Sequence, residues 1–599
     1  MAGLSTGPVH AMLPTRSSAA PLTAPGWHPL ALLAVLAAWL ASVGNLPLWL
    51  SLGRLPEMTA PHLVATLVLL GGALFLMLLA TLALLVWPRW RKPVGVLLLV
   101  TVAVSSHFML SYGIVVDPTM LDNVLHTDTR EVRDLLSPTL GVALLLGVAL
   151  PGWWWWRQPV RPVARLLPRQ AGLAVLALLA ALVLLWLGFQ DLASLMRNHK
   201  DLRYRVNPYN TVYALARQAH GSVNLARQPL QPMGEDAMRA HGAVPGPLLV
   251  LVVGETTRAA NFGLGGYARD TTPQLKALMG EGGMTYFGDV RSCGTNTETS
   301  VPCLFSHLGR EGYMARTQRH ENLLDALQRA GMGVMWVENQ SGCKGVCDRV
   351  PHADASELVP GTVCDGGECQ DTALLQALPA ALQRLTPEQR ARGTVLVLHQ
   401  MGSHGPAYYK RTPAALKAFT PECTSAALQD CPREQVVNAY DNSVRATDDL
   451  LAGVVRWLRS QPGATGLLYV SDHGESLGEK GLYLHGMPYA FAPDEQTRVP
   501  MLMWLSPTLR QAMALDEACL RARAGRPASH DNWFPTVLDL AQVHTRWSTP
   551  GASLLAGCTG PAWQGRPASP QDASAAPEAD VRLAGFVDER RAQALDGVR

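Results

Sequence analysis

The first 292 residues of this 599-residue chain contain no cysteine, and all ten cysteines lie at or after Cys293. Such crowding argues for disulfides in an oxidising compartment. Zinc–thiolate sites are the rival reading, but Cys343-x3-Cys347 and Cys364-x4-Cys369 lack a neighbouring second pair with finger-like spacing. Charge is scarce too. Asp, Glu, Lys and Arg make up 16% of the chain, against roughly 25% in soluble proteins. The net charge is only +3 and there is no polybasic tract, so nucleic acid is not a natural partner.

What is present instead is a set of long uncharged runs: Pro29–Leu50, Leu63–Trp87, Pro93–Val116, Leu135–Trp156 and Ala171–Gln190. Each is close to the ~20 residues that cross a bilayer as a helix. The loop 88–92 carries Arg89, Arg91 and Lys92, and the loop 157–170 carries Arg157, Arg161, Arg165 and Arg169. Basic loops stay cytoplasmic. The loop 117–134 has five acids against Arg130 and Arg133, and faces outward. Five spans then put everything after Asp191 outside, on the same side as the cysteines. The tetrad Trp153 to Trp156 beside Arg157 suits an interfacial belt.

Domain boundaries follow composition. Residues 1–27 read as a disordered cytoplasmic lead, 28–190 as the membrane domain, and 191–244 as a segment punctuated by Pro208 and Pro245 with a short interfacial helix over 210–220. Residues 245–562 change to a strand–loop–helix pattern, and 563–599 read as a low-complexity, mostly disordered tail. From 245 onward, apolar runs at 248–253, 333–337, 394–399, 466–470 and 500–505 alternate with helical stretches at 274–280, 321–330, 372–385, 434–459 and 531–543. That alternation predicts a mostly parallel sheet with helices on both faces. Three of the runs end in polar clusters: Gly254-Glu255-Thr256-Thr257-Arg258, Gly402-Ser403-His404-Gly405 and Asp472-His473-Gly474-Glu475, with His485 shortly after. Open α/β sheets bind ligands at such strand ends, and carboxylate with imidazole suits zinc. Taken alone, Glu255 reads equally well as a helix cap. Thr297, Thr299 and Ser300 each read as a cap too, and the residues by themselves do not choose between them.

The stretches GETTRAANFGLGGYARDTTP from Gly254, CGTNTETSVPC from Cys293, CKGVC from Cys343, GSHGP from Gly402 and SDHGESLGEKGLYLHG from Ser471 resemble the bacterial phosphoethanolamine transferases that modify lipid A. The mobilised colistin-resistance enzymes belong to that family. The resemblance runs from the first membrane segment to about residue 560. It implies a five-helix transmembrane domain in the bacterial inner membrane. It makes 191–244 the bridge from the membrane to the catalytic domain over 245–562, a periplasmic α/β/α sandwich of the alkaline-phosphatase type, acting as a monomer.

It implies chemistry as well: transfer of phosphoethanolamine from phosphatidylethanolamine to lipid A of lipopolysaccharide, which lowers envelope charge and gives polymyxin resistance. Thr297 takes the place of the family's nucleophile. Glu255, Asp472 and His473 join it around one zinc, with a second zinc admitted. Lys344, His404 and His485 fall where phosphoethanolamine is held, and Glu475 falls at an acidic position near a second metal or the ethanolamine amine. Gln340 departs from the family's usual asparagine, so its contact is left out of the catalytic set. The segment 117–133 matches an outer loop read either as a solvated connector or as a surface that holds the lipid head group. Short spacings and the oxidising compartment predict four bridges, Cys293–Cys303, Cys343–Cys347, Cys364–Cys369 and Cys423–Cys431; Cys519 and Cys558 pair only by arithmetic.

Rival functions were weighed on residues. A sulfatase needs Cys or Ser in C/S-x-P-x-R, whereas Ser300-x-Pro302-x is followed here by Leu304. A glycerophosphate transferase shares the five-span plan, but GETTRAANF and CKGVC favour ethanolamine. Other acceptors for the same transfer are core sugars, a glucan or a protein. An inactive membrane scaffold would have lost Thr297 or its ligands, and none is lost.

Overall fold

The computed structural model describes residues 26–56, 58–125, 132–133, 135–240, 246–359, 361, 364–365, 368–561 and 563. The expected lead falls outside the described residues apart from Gly26 and Trp27, and so does the expected tail apart from Trp563, which is buried at 3% exposure.

Five helices are long and apolar enough to cross a membrane: Pro29–Gly53, Ala60–Leu85, Arg91–Tyr112, Pro138–Arg157 and Leu166–Leu187. Their ends differ from the uncharged runs by a few residues in either direction; the fifth starts at Leu166 and takes in Arg169. The first is interrupted by a tight turn over Val43–Asn45. In apolar surroundings the freed backbone groups need internal partners. Asn45 supplies one: its amide donates to the carbonyls of Leu40 and Asn207, both at 2.7 Å, and its side-chain oxygen accepts from the Asn207 N–H at 2.9 Å. This buried knot ties the bridge segment to the first span.

Outside the spans, helix α1 is Pro118–Leu125 and α2 is Tyr209–Ala226, longer than the interfacial helix expected over 210–220. Thr211 and Ala214 of α2 are buried while Val212, Tyr213 and Leu215 are exposed, an amphipathic arrangement suited to an interface.

The domain after the bridge segment has a central sheet of eight strands: β1 (Leu248–Gly254), β2 (Met284–Arg291), β3 (Gly333–Glu338), β4 (His352–Asp354), β5 (Thr394–His399), β6 (Thr465–Ser471), β7 (Arg498–Leu505) and β8 (Ala528–Ser529). Their order is β8-β2-β7-β6-β1-β5-β3-β4. Strands β6, β1, β5, β3 and β4 run parallel, and β7 is antiparallel to both its neighbours. Successive residues of β1 bury on opposite faces: Leu249, Leu251 and Val253 join one apolar layer, Val250 and Val252 the other. A strand covered on both sides must be apolar throughout, which is why these runs were visible in the sequence. β2 was not, because its apolar residues are interrupted: Met284, Phe287 and Val290 are buried while Gly288 and Arg291 are exposed.

Two further helices matter for the site. α3 is Thr297–Leu304, and α4 is Arg433–Ser460, which covers the sheet with a face including Val436, Tyr440, Val444 and Leu451. Helix α1 packs against α3. A Cβ at Gly486 would come within 3.2 Å of the Met120 sulfur, and one at Gly113 within 2.7 Å of the Gly481 carbonyl oxygen. The outer surface of the membrane domain therefore lies against the loop that carries His485.

All ten cysteines are paired: the four expected bridges form, and Cys519 pairs with Cys558. Non-reducing peptide mapping is expected to recover these five linked pairs and no free thiol, each bridge contributing on the order of 2–4 kcal/mol. Free thiols at Cys293 or Cys343 would contradict the pairing.

Candidate active site

The ends of β1 and β6 meet because the strands pair in register, Val253 beside Val470 and Gly254 beside Ser471. That register sets Glu255 next to Asp472 and His473. Ligand atoms of these three buried residues lie within 4.8 Å of one another. The Thr297 hydroxyl completes the cluster: it donates to the Glu255 carboxylate, 3.2 and 3.1 Å from its two oxygens, and stands 3.4 Å from His473 Nε2.

Local backbone geometry aims each group. Thr256 sits in the left-handed region at φ 51°, rare for a β-branched residue. It is held there by Tyr440, whose hydroxyl donates to the Thr256 carbonyl at 2.7 Å, and by its own N–H, which donates to Asp472 Oδ1 at 3.1 Å. The His473 N–H also donates to Asp472 Oδ1, at 2.7 Å. With Oδ1 doubly used, Asp472 Oδ2 is buried without a hydrogen-bond partner, 3.3 Å from His473 Nε2. His473 Nδ1 donates to the Gly474 carbonyl at 2.9 Å, which leaves the Nε2 lone pair facing the cluster. Burial raises the Asp472 carboxyl above its usual range. Burial, helped by His485, holds His473 well below the ordinary imidazole value. An orphaned carboxylate oxygen, a second carboxylate, a neutral imidazole and a hydroxyl match a zinc-type donor set.

Thr297 is the first residue of α3, whose cap is Asn296; the Asn296 side chain accepts from the Thr299 N–H at 2.9 Å. Of the three hydroxyls that sequence left open, Ser300 is turned away, donating to the Asp472 carbonyl and accepting from Gly294 N–H at 3.3 Å. Thr297 is the hydroxyl that donates to the Glu255 carboxylate.

The second group of expected residues forms the adjoining wall. His485 Nδ1 donates to Glu475 Oε2 at 2.8 Å, and the Tyr408 hydroxyl donates to Glu475 Oε1 at 2.6 Å. The His485 ring lies 4.4 Å from that of His473 and 5.7 Å from that of His404. His404 is held well below the ordinary imidazole value by burial and then by His485 and Arg411. Lys344 stands on the turn closed by Cys343–Cys347, at φ 52°. Its ammonium donates to Ser341 Oγ at 3.0 Å and lies 3.9 Å from Glu298.

Sequence reading missed several supports. Gln340 Nε2 donates to Glu255 Oε2 at 3.2 Å, so the residue set aside is in contact with the cluster. Its backbone N–H is anchored at 2.6 Å on Glu338, which also accepts from Trp336 Nε1 at 2.9 Å and His399 Nδ1 at 3.0 Å. Asp371 braces the His404 loop by accepting from the Met401 and Gly402 N–H groups at 2.9 and 2.8 Å. His530 donates to the Ser471 carbonyl at 3.0 Å and accepts from Cys293 N–H at 3.1 Å, joining the Thr297 turn to β6. Burial lowers His530 to about 4, so it stays neutral. Nothing in a motif marks these residues; an acid or histidine as the last residue of a buried strand, as with Glu338 and His399, was the available signal.

Comparison with known proteins finds relatives along most of the chain. Residues 74–223 match the phosphoethanolamine transferase EptA/EptB family, and residues 247–543 match the sulfatase family. Phosphoethanolamine transferase EptA of Salmonella typhimurium is 41% identical over 469 residues, 76% of this chain and 83% of that protein. Phosphatidylethanolamine transferase Mcr-1 of Escherichia coli is 38% identical over 544 residues, 86% of this chain and 95% of that one. The integral membrane lipooligosaccharide phosphoethanolamine transferase A of Neisseria meningitidis superposes with a TM-score of 0.84 at 35% identity, covering 90% of this chain and all of its own.

Proposed function

Because this chain belongs to the phosphoethanolamine transferase family, we propose that it moves phosphoethanolamine from phosphatidylethanolamine to a phosphate of lipid A. The transfer takes place at the outer face of the inner membrane, with Thr297 as a covalent relay. The observation that carries this reading is the Thr297 hydroxyl, set between the Glu255 carboxylate and His473 Nε2 beside the orphaned Asp472 Oδ2. The sulfatase match speaks for the fold, since Leu304 stands where a formylglycine sequence needs arginine.

Glu255, Asp472, His473 and Thr297 would hold one zinc ion. Bound there, zinc lowers the pKa of a neighbouring hydroxyl and neutralises phosphoryl charge. The chain's own residues do the rest. The Thr297 oxygen forms a bond to phosphorus as the bond from phosphorus to the diacylglycerol oxygen breaks, and the hydroxyl proton ends on diacylglycerol. In the second half-reaction an oxygen of the acceptor phosphate forms a bond to phosphorus as the bond from phosphorus to Thr297 breaks, and the Thr297 oxygen takes up the proton that the acceptor phosphate hydroxyl gives up. His485 and His404, adjacent to one another, serve these proton movements, and Lys344 neutralises phosphoryl oxygens. Donor and acceptor both arrive from the membrane, so a covalent relay lets them take turns in one site. One chain holds the whole set, which supports a monomer as the working unit.

Glu475, whose two oxygens are taken by Tyr408 and His485, orients His485. Tyr408→Phe is expected to lower kcat about tenfold with zinc content and donor KM unchanged. Metal analysis beside steady-state kinetics checks this, and lost zinc would assign Tyr408 a structural role instead.

The acceptor is tested by mass spectrometry of lipid A from cells expressing the chain. The expected result is a gain of phosphoethanolamine that disappears with Thr297→Ala. Unmodified lipid A alongside modified core sugar or glucan would move the acceptor elsewhere. Modified lipid A carries less negative charge and attracts cationic peptides less, which accounts for polymyxin resistance.

A further inference from the structure

The membrane domain carries a feature the transfer reaction does not use. A groove of about 490 Å³ opens between the first, third and fourth spans, lined by Leu36, Trp39, Leu99, Leu150, Trp154 and Trp155 among other apolar residues. Its volume lies within the roughly 300–1,000 Å³ of ligand sites. Trp154 and Trp155 stand just before Arg157 at the cytoplasmic end of the fourth span, so the groove occupies the inner half of the membrane, across the bilayer from Thr297.

Arg91, Gly95 and Leu99 form one stripe of the third span, spaced four residues apart. Leu99 lines the groove. Gly95 makes room for Trp155: a Cβ there would lie 2.3 Å from the indole nitrogen. That nitrogen donates to the Lys92 carbonyl at 3.2 Å, and the Lys92 ammonium donates to the Trp156 carbonyl at 2.6 Å. At the cytoplasmic end of the stripe stands Arg91, 9% exposed, with Nε and Nη1 buried and without hydrogen-bond partners. A buried guanidinium left unpaired is costly, and its fork geometry suits phosphate. No acid occurs in residues 86–93 or 157–170, where Arg89, Lys92, Arg157, Arg161, Arg165 and Arg169 surround Arg91 in sequence.

We propose that this end of the membrane domain is a binding site for an anionic phospholipid of the cytoplasmic leaflet, its phosphate on Arg91 and one acyl chain in the groove. The uncompensated positive charge of both loops selects an anionic over a zwitterionic head group. The site is separate from those of donor and acceptor, which meet Thr297 on the opposite side.

Native mass spectrometry of the full-length protein in detergent tests this with dioleoyl-phosphatidylglycerol and dioleoyl-phosphatidylcholine as probes. The expected result is one phosphatidylglycerol retained at collision energies that strip phosphatidylcholine. Retention should fall roughly tenfold in Arg91→Gln, the loss of one charge-assisted contact. It should fall similarly in Leu150→Trp, which fills the groove from a side chain that is 52% exposed and so spares the fold. Equal retention of the two lipids by the unaltered protein would overturn the proposal. So would phosphatidylglycerol held by both variants as tightly as by the unaltered protein.

Discussion

Asp472→Asn is expected to cost at least about 100-fold in zinc affinity while leaving the fold intact. The amide oxygen can still accept the Thr256 and His473 N–H groups that Oδ1 accepts now. What disappears is the charge on Oδ2, the one cluster oxygen buried without a partner. Removing outer-shell partners of metal ligands already costs roughly 10–100-fold, so a direct ligand should exceed that. The check is zinc titration of the purified full-length protein against a competing chelator, with thermal unfolding recorded in parallel. Unchanged affinity would move the metal away from this carboxylate.

The larger effect on turnover belongs to Thr297. Its hydroxyl makes no packing contribution that alanine would lose at large cost, and Asn296 rather than Thr297 caps α3. Thr297→Ala should therefore fold, yet lose at least about 10³-fold in kcat, as expected when a nucleophile is deleted. Thr297→Ser should retain part of the activity, since a primary hydroxyl at the same position can still reach phosphorus. Equal loss in both variants would point to the threonine methyl group rather than to its oxygen.

Much of this was legible in the chain itself. The five central apolar runs read as strands because they are buried on both faces, and Glu255, Asp472 and His473 drew attention by following two of them. β2, β4 and β8 escaped, the first because exposed Gly288 and Arg291 and half-buried polar residues interrupt its apolar run, the other two because they are three and two residues long. The site's supports escaped for another reason. Glu338, His399, Asp371 and His530 act through contacts between residues far apart in sequence, such as the 2.8 Å bond from Gly402 N–H to Asp371. Neither local propensity nor spacing encodes such contacts. Gln340 shows the limit of reading a single substitution: its longer side chain still places an amide on Glu255, because Glu338 fixes its backbone.

The membrane and catalytic parts also proved closer than composition suggests. The segment over 117–133 read equally well as a solvated connector. Its described helix α1 packs on α3 instead, and Met120 lies against Gly486 beside His485. Residues 126–131 of that loop, and Asp134 just after it, lie outside the described residues.

The central claim, a covalent relay on Thr297, is tested most directly by the intact mass of the purified protein incubated with phosphatidylethanolamine and no acceptor. The account predicts a single phosphoethanolamine adduct that maps to the Thr297 peptide, is discharged by added lipid A, and is absent from Thr297→Ala. An adduct that persists in Thr297→Ala, or an active enzyme that never carries one, would contradict it.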